Sequence, residues 1–355
     1  MLGQGHTPVL AAPKKSRLYR LAKSEGIKVY PVEFTFLSAL HDRGRIRQIC
    51  INEKPDVINV HGDRDAASGL PAAKKAQVPL RILSRHTGRK LGSWTARKRT
   101  RKLSHFIFTS APHTAEMIQQ DLKLNPMKVF SIPSGIQPPG HLPESGKARS
   151  EMARQLSLEP DTRFIGFTGR LAGNQGLENL IQAFEKIHTR VPHHLVLAGA
   201  EDGRNLDTLR GLARQGRSGG RVHLTGAQDA PSWAWLRAMD CTIFPCSGHR
   251  DAAHQIPAAL FKSMAAGVPV AGTRTPALTD VIRHNATGLL AAPGNSADLA
   301  DIILATLQDR QRAKTRAAAA RESVLKSHTL DAMGRDIIRI YRLHQVRLDR
   351  EMAVY

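Results

Sequence analysis

A chain of 355 residues, 41% hydrophobic and 23% charged, is long enough for two ordinary globular cores and too apolar to be a disordered polymer. Its formal charge of +22 at pH 7 favours acidic partners: phosphorylated substrates, an anionic membrane surface or nucleic acid. Cys50, Cys241 and Cys246 form no CxxC pair and no zinc-type spacing with histidine, which leaves three reduced thiols in a cytosolic protein and no metal site.

In chain order, short β-type runs alternate with helical stretches. The first series predicts strands at Pro8–Ala12, Lys28–Val32, Asp56–Val60, Leu80–Leu83, His105–Thr109 and Lys128–Ile132. Helices are expected at Ser16–Glu25, Ala66–Lys75 and Thr114–Leu122. Lys14, Lys15, Arg17 and Arg20 follow the first apolar stretch instead of preceding it, the reverse of a secretory signal. Ser134–Lys147, with three prolines and three glycines, then breaks every periodic pattern.

A second series predicts strands at Phe164–Thr168, His194–Ala198, Arg221–Thr225, Cys241–Phe244, Val268–Ala271 and Gly288–Ala291. Helices are expected at Leu177–His188, Asn205–Arg214, Gln255–Ala266 and Ala297–Leu307, and Leu330–Met352 closes the chain as a long amphipathic helix. No run of roughly 18 apolar residues, the length a spanning helix needs, occurs anywhere. The alternation predicts an α/β chain of two Rossmann-like domains facing a cleft. An N-terminal domain would occupy residues 1–135, a linker 136–148, a C-terminal domain 149–329 and a terminal helix 330–355. Such sheets bind ligands beyond the carboxyl ends of their strands, so the chemistry belongs in the loops after Val60, Leu83, Thr168, Ala198, Phe244 and Ala271.

The charge is unevenly spread. Residues 1–135 hold 24 Lys and Arg against 9 Asp and Glu, a net of +15, whereas residues 136–355 hold 28 against 21. The run Arg89–Lys102, with Trp94 inside it and Leu103 after it, reads as a solvated basic face suited to anionic lipid headgroups. No helix-turn-helix, zinc finger or aromatic stacking set accompanies it, and aromatics make up only 5%, so nucleic acid is the weaker partner.

Two segments carry chemistry. Phe164–Leu180 runs from a buried strand into Gly169 and Arg170, then through Gln175 and Gly176 into a helix. Glycine lets backbone amides approach a phosphate, the helix N-terminus adds a positive dipole, and Arg170 supplies a forked donor for a diphosphate. The second segment, Ile243–Ile282, opens with IFPCSG at a strand end and continues through HQIPAALFKSMAAGVPVAGTRTPALTDVI.

That second run resembles the donor-site signature of glycosyltransferase family 4, retaining enzymes of GT-B architecture. Ser263–Val270 matches the family's Ala-Met-Ala-x-Gly-x-Pro-Val stretch, and Asp280 stands where the family usually has a glutamate. Arg170 matches its phosphate-binding arginine. Leu195–Gly199, Val222–Gly226 and Val129–Ile136 match three further strands, and Asp56–His61 matches the strand end D-V-V-H-x-H. His61 to Asp65 and Ser84-Arg85-His86 are similar to variants among cell-envelope sugar transferases.

The resemblance implies transfer of a sugar, with retention, from a nucleotide diphosphate donor to a cell-envelope glycan or glycolipid of the lipopolysaccharide type. It implies no cofactor beyond the sugar nucleotide itself, and no metal. It places the enzyme in the cytoplasm, peripherally on the inner face of the plasma membrane, with an acceptor-binding N-terminal domain to which the C-terminal helix returns. His61 and His254 would stand at the reacting sugar. Gly169, Arg170, Gln175, Gly176, Lys262 and Asp280 would bind the donor, and Asp65, Arg85 and His86 would line the acceptor side.

Three departures accompany the matches. His254 and Lys262 align with the family's two glutamates, and Gln175 with its lysine. An ammonium has no acceptor lone pair, so Lys262 cannot take the ribose hydroxyl hydrogen bonds that a glutamate accepts. The Gly5-His6 turn lies close to Met1, where the family has a strand, a glycine-rich loop and most of a helix before it. These departures leave open the alternative of a catalytically inactive GT-B scaffold that binds an anionic membrane or a ligand.

Overall fold

The computed structural model describes residues 5–86, 91–200, 203–226, 233–246 and 256–353. The chain divides into two compact units, Met1–Ile132 with Gly334–Tyr355 and Pro133–Met333.

The first unit contains β1 (Val9–Ala12), α1 (Arg17–Ser24), β2 (Lys28–Pro31), α2 (Ala39–Glu53), β3 (Val57–His61), α3 (Asp63–Lys75) and β4 (Leu80–Arg85). It continues with α4 (Trp94–Leu103), β5 (Phe106–Thr109), α5 (Pro112–Leu122) and β6 (Val129–Ser131). All pairings are parallel, as strand-helix alternation requires. The strands nevertheless fall into two sheets, β1-β2 and β3-β4-β5-β6. What ties the pair to the foursome is side-chain packing: Ala11 and Val32 share a core with Ile46 and Cys50 of α2, Ala72 and Ala73 of α3, and Ile58 of β3. Burial deepens accordingly, from a β1 with one buried residue in four to a β5 that is wholly buried.

Helices α2 and α4 carry no sequence periodicity that marks them. On α2 the buried stripe is only Asp42, Ile46 and Cys50, one residue per turn, and its first member is an acid. Asp42 accepts hydrogen bonds from the Phe34 amide at 2.9 Å and the Ser38 hydroxyl at 2.6 Å, so it serves as a turn clamp. Helix α4 is basic along most of its length. Ser93 caps it by accepting from the Ala96 amide at 3.1 Å, and only Ala96 and Thr100 are buried.

The second unit contains α6 (Ser145–Gln155), β7 (Arg163–Thr168), α7 (Leu177–Ile187), β8 (His193–Ala198), α8 (Gly203–Gln215), β9 (Val222–Thr225) and α9 (Trp233–Ala238). Then follow β10 (Met239–Phe244), α10 (Ala258–Ala265), β11 (Val270–Thr273), α11 (Pro276–Thr279), β12 (Leu289–Ala291), α12 (Ser296–Gln308) and α13 (Arg310–Ser327). Helix α6 begins at Ser145, so the last residues of the proline-rich stretch are helical and not linker. The six strands form one parallel sheet in the order β12-β11-β10-β7-β8-β9. Both faces are covered, which accounts for strands such as β7 and β8 reading as continuous apolar runs.

Helix α14 (Leu330–Ala353) leaves the second unit at a bridge between Ile136 and Thr329. From Gly334 onward it belongs to the first unit, as the sequence led us to expect. There the His344 ring stacks on His105 with centroids 5.0 Å apart and meets the Phe106 ring edge-on at 5.7 Å.

Candidate functional site

In the second unit strand order reverses between β7 and β10: from β7 the sheet proceeds through β8 to β9, then returns to the other side of β7. In sheets of this kind a ligand-binding crevice belongs at the carboxyl ends of the two strands where the order reverses. The segment Gly169–Gly176 lies at that point. Gly169 donates to Ala198 O and Leu171 to Ala200 O, both at 2.9 Å, so the loop continues the β7–β8 ladder past the strand end. A Cβ on Gly199 would lie 1.5 Å from the carbonyl oxygen of Gly169, so this crossing admits only glycine.

Beyond it, Leu171 and Ala172 are buried while Arg170 is exposed, held out by its anchored neighbours. A single 3-10 turn, Gly173–Gln175, leads to Gly176 with φ of +73°, and α7 begins. No side chain caps α7. The first-turn amides of such a helix have no intrahelical acceptor and face outward with the positive end of the dipole. Arg170, the half-buried Gln175 and these amides form a cationic rim suited to a diphosphate.

The neighbouring strands bring two more expected residues to the same edge of the sheet. Lys262 sits half-buried in α10, and no hydrogen bond or ion pair joins its ammonium to a described residue. Asp280 is exposed at the end of α11, directly after β11. His254 lies outside the described residues. The Thr273 hydroxyl donates to Cys246 O at 2.8 Å and ties the end of β11 to the loop after β10. Residue spacing does not reveal this hydrogen bond, which depends on the β10–β11 pairing.

In the first unit the register pairs His61 with Ser84 at the carboxyl ends of β3 and β4. The two histidine side chains meet just beyond: His61 Nδ1 lies 3.1 Å from His86 Nε2, and the rings stack at 5.4 Å within 7° of parallel. The His61 ring has an open face, yet the protein around it disfavours its charged form. Desolvation, then the neighbouring His86, lowers its pKa, and desolvation lowers that of His86. Both shifts favour the neutral rings, and the 3.1 Å approach suits a hydrogen bond in which the tautomer sets which nitrogen donates. Burial pushes Asp65 above the usual carboxylate range, opposed by a hydrogen bond from the His61 backbone. Arg85, at the end of β4, is buried, with its guanidinium 3.8 Å from the Asp63 carboxylate.

The basic run needs correction. Arg97 donates from Nη1 to both carboxylate oxygens of Asp121, at 3.0 and 2.9 Å, and Arg99 is half-buried, so neither belongs to a solvated face. Lys98, Arg101 and Lys102 are exposed, and the Lys98 ammonium sits 4.6 Å over the exposed Trp94 ring. Among the described residues no cluster of three or more candidate metal ligands occurs, and no helix is long and apolar enough to cross a membrane.

A family model described as Glycosyltransferase Family 4 matches residues 1–138, and one described as Glycosyl transferases group 1 matches residues 162–309. The N-acetyl-alpha-D-glucosaminyl L-malate synthase of Bacillus anthracis is 33% identical over 175 residues, 49% of this chain and 44% of that protein. The GDP-mannose-dependent alpha-(1-6)-phosphatidylinositol monomannoside mannosyltransferase of Mycobacterium tuberculosis is 29% identical over 207 residues, 57% of this chain and 52% of that protein. In these matches the chain spans about half the length of each relative. A crystal structure of a glycosyltransferase from Rickettsia africae superposes with a TM-score of 0.86 at 17% identity, covering 97% of this chain and 92% of that one. The shared fold is GT-B.

Proposed function

Because the chain belongs to glycosyltransferase family 4, we propose that it moves a sugar from a nucleotide diphosphate donor to a cell-envelope glycan or glycolipid, with retention. The observation that carries this reading is the loop Gly169–Gly176, placed where the strand order of the second sheet reverses. Arg170 and the first turn of α7 would hold the diphosphate. As the acceptor oxygen bonds to the anomeric carbon, the bond from that carbon to the diphosphate oxygen breaks. The leaving group keeps the electron pair, and Arg170 with the α7 dipole stabilises the growing charge. The acceptor's proton passes to the departing phosphate.

The first unit would bind the acceptor, with His61 at the sugar and Asp65, Arg85 and His86 beside it. A glycolipid acceptor is supported by the phosphatidylinositol mannoside named for the mycobacterial relative. With it goes a peripheral place on the cytoplasmic face of the membrane. Isothermal titration with a panel of sugar nucleotides tests the donor claim, and no binding by any of them would sink it. The anomeric configuration of the product, read by NMR, tests retention.

One observation favours a second reading. Lys262 presents a cation where the family accepts ribose hydroxyls with a glutamate, which fits a scaffold that no longer transfers sugar. Lys262→Glu combined with Gln175→Lys discriminates. Turnover in the double variant alone makes the natural chain an inactive scaffold, whereas turnover in both supports the enzyme.

A further inference from the structure

We propose that the turn Thr35–Ser38 and the open face of α2 form a membrane-docking surface. Phe36, Leu37 and Leu40 enter the acyl boundary of an anionic bilayer, and Arg45 and Arg47 meet its headgroups. The proposal rests on the reading of the acceptor as a glycolipid and names the surface that brings the first unit to it.

The turn is built to display its tip. After β2 the chain is anchored by a buried Val32, whose amide donates to Ala12 O at 3.1 Å. Phe34 then packs against the core that Val32 shares with α2 and α3. Its φ of +54° is a left-handed conformation that a bulky side chain keeps only where its surroundings fix it. Here the fixing group is Asp42, which accepts from the Phe34 amide at 2.9 Å and from the Ser38 hydroxyl at 2.6 Å. Thr35 and Ser38 close on each other: the Thr35 amide donates to Ser38 Oγ at 3.0 Å, and the Ser38 amide to Thr35 Oγ1 at 3.1 Å. Between these clamped ends Phe36 and Leu37 are each 94% exposed, and Leu40, one helical turn on, is 78% exposed. The same loop buries one phenylalanine against the core and presents the next to solvent.

Leu40, Gly44, Arg47 and Ile51 recur at i, i+4, i+7 and i+11, so they share one exposed stripe of α2, away from the buried Asp42, Ile46 and Cys50. Arg47 lies within that stripe, and Arg45 is exposed on the same open side. The two acids of α2 are both engaged elsewhere. Asp42 clamps the turn, and Glu53 accepts from Lys28 at 2.6 Å and from Tyr30 at 2.5 Å. Single apolar side chains scattered over a surface need no explanation, but three large ones within five residues on a clamped turn do. An anionic bilayer answers both halves of the surface, with hydrocarbon for the tip and phosphate for the arginines.

The test places a polarity-sensitive dye on the full chain. Cys50, Cys241 and Cys246 are all buried, so Phe36→Cys or Leu37→Cys directs a thiol-reactive label to the introduced site. With vesicles of phosphatidylcholine and phosphatidylglycerol, the dye at either position should shift to the blue and be quenched by nitroxides on the acyl chains. The same dye on Met127→Cys, exposed before β6, should stay in water. Phe36→Ser with Leu37→Ser should weaken vesicle binding by about tenfold or more, as withdrawal of two large apolar side chains requires. Arg45→Gln with Arg47→Gln should reduce the preference for phosphatidylglycerol and leave binding to neutral vesicles unchanged.

A chain that binds vesicles while the dyes at positions 36 and 37 stay in water overturns the proposal, and so does a chain that binds none. A blue shift that appears without vesicles as the protein is concentrated also overturns it, because a second copy would then cover the tip. The substituted side chains are exposed and lie outside the Thr35, Ser38 and Asp42 hydrogen bonds, so the fold does not depend on them. Titration with sugar nucleotides keeps the two readings apart. Insertion without donor binding leaves the surface and removes the transferase, whereas donor binding without insertion leaves the transferase and removes the surface.

Discussion

A methyl group on Gly199 would collide with the Gly169 carbonyl, which is backbone and cannot rotate away. Gly199→Ala should therefore displace the loop that carries Arg170 while leaving the sheet itself paired. The expected outcome is a loss of donor affinity of about tenfold or more with a smaller fall in Tm, since one backbone clash costs about 1–3 kcal/mol. Titration and thermal melting read the two effects separately, and an unchanged donor affinity would show that the loop is not where the nucleotide binds. At this scale the sequence marks the glycines and Arg170 well, because their roles are local. It leaves the His61–His86 pair unseen as a pair. Their contact depends on a register between β3 and β4 that no spacing encodes, and the same is true of the Thr273 hydroxyl on Cys246 O.

Two strands begin with histidines held neutral. His105 enters β5 with its pKa pushed down to about 4, by burial first and then by Arg81, His344 and Lys128. His194, on β8, is pushed down to about 4 by burial first and then by His223, Arg221 and His193, and its Nδ1 lies 2.8 Å from His223 Nε2. In the unfolded chain both would titrate near about 6.5. Between those values the unfolded state binds more protons than the folded one, so stability is complete above about pH 6.5 and falls as the pH drops toward 4. Tm should be several degrees lower at pH 5 than at pH 7.5, and His194→Asn should flatten part of that slope. A Tm that does not change between the two would contradict the packing described for β5 and β8. Strand-helix alternation made most strands legible to within two residues. Helices α2 and α4 escaped because their buried stripes are one residue wide and include polar groups.

Over the whole molecule, most of the excess positive charge, +15 of +22, lies in residues 1–135, and the same unit exposes large apolar side chains. Phe36 and Leu37 are each 94% exposed just before α2, and Trp94 is 69% exposed at the start of α4. Flotation with vesicles rich in phosphatidylglycerol should show binding that weakens as salt rises, each basic residue near the surface contributing about 1 kcal/mol. Phe36→Asp with Leu37→Asp should weaken it further without changing donor affinity. Binding that ignores both salt and these changes would remove the membrane from the proposed function. Composition alone predicted the sign of this field. It could not say which cations are already paired, as Arg97 is with Asp121.

The division of the first unit's strands into two sheets has a kinetic consequence. Backbone hydrogen bonds bind β1 to β2, whereas among the described residues it is side-chain packing, with α2, α3, β3 and the turn at Ala76–Val78, that holds the pair to the rest. A segment attached in this way can open by itself, without disturbing β3 to β6. Its amides should exchange with deuterium well before those of β7, β8 and β10, which lie inside one six-stranded sheet. The first protease cuts should fall near residues 13–16 and 32–38, between its elements. Unfolding of the molecule would then begin at its amino-terminal end and not at the Gly169–Gly176 loop.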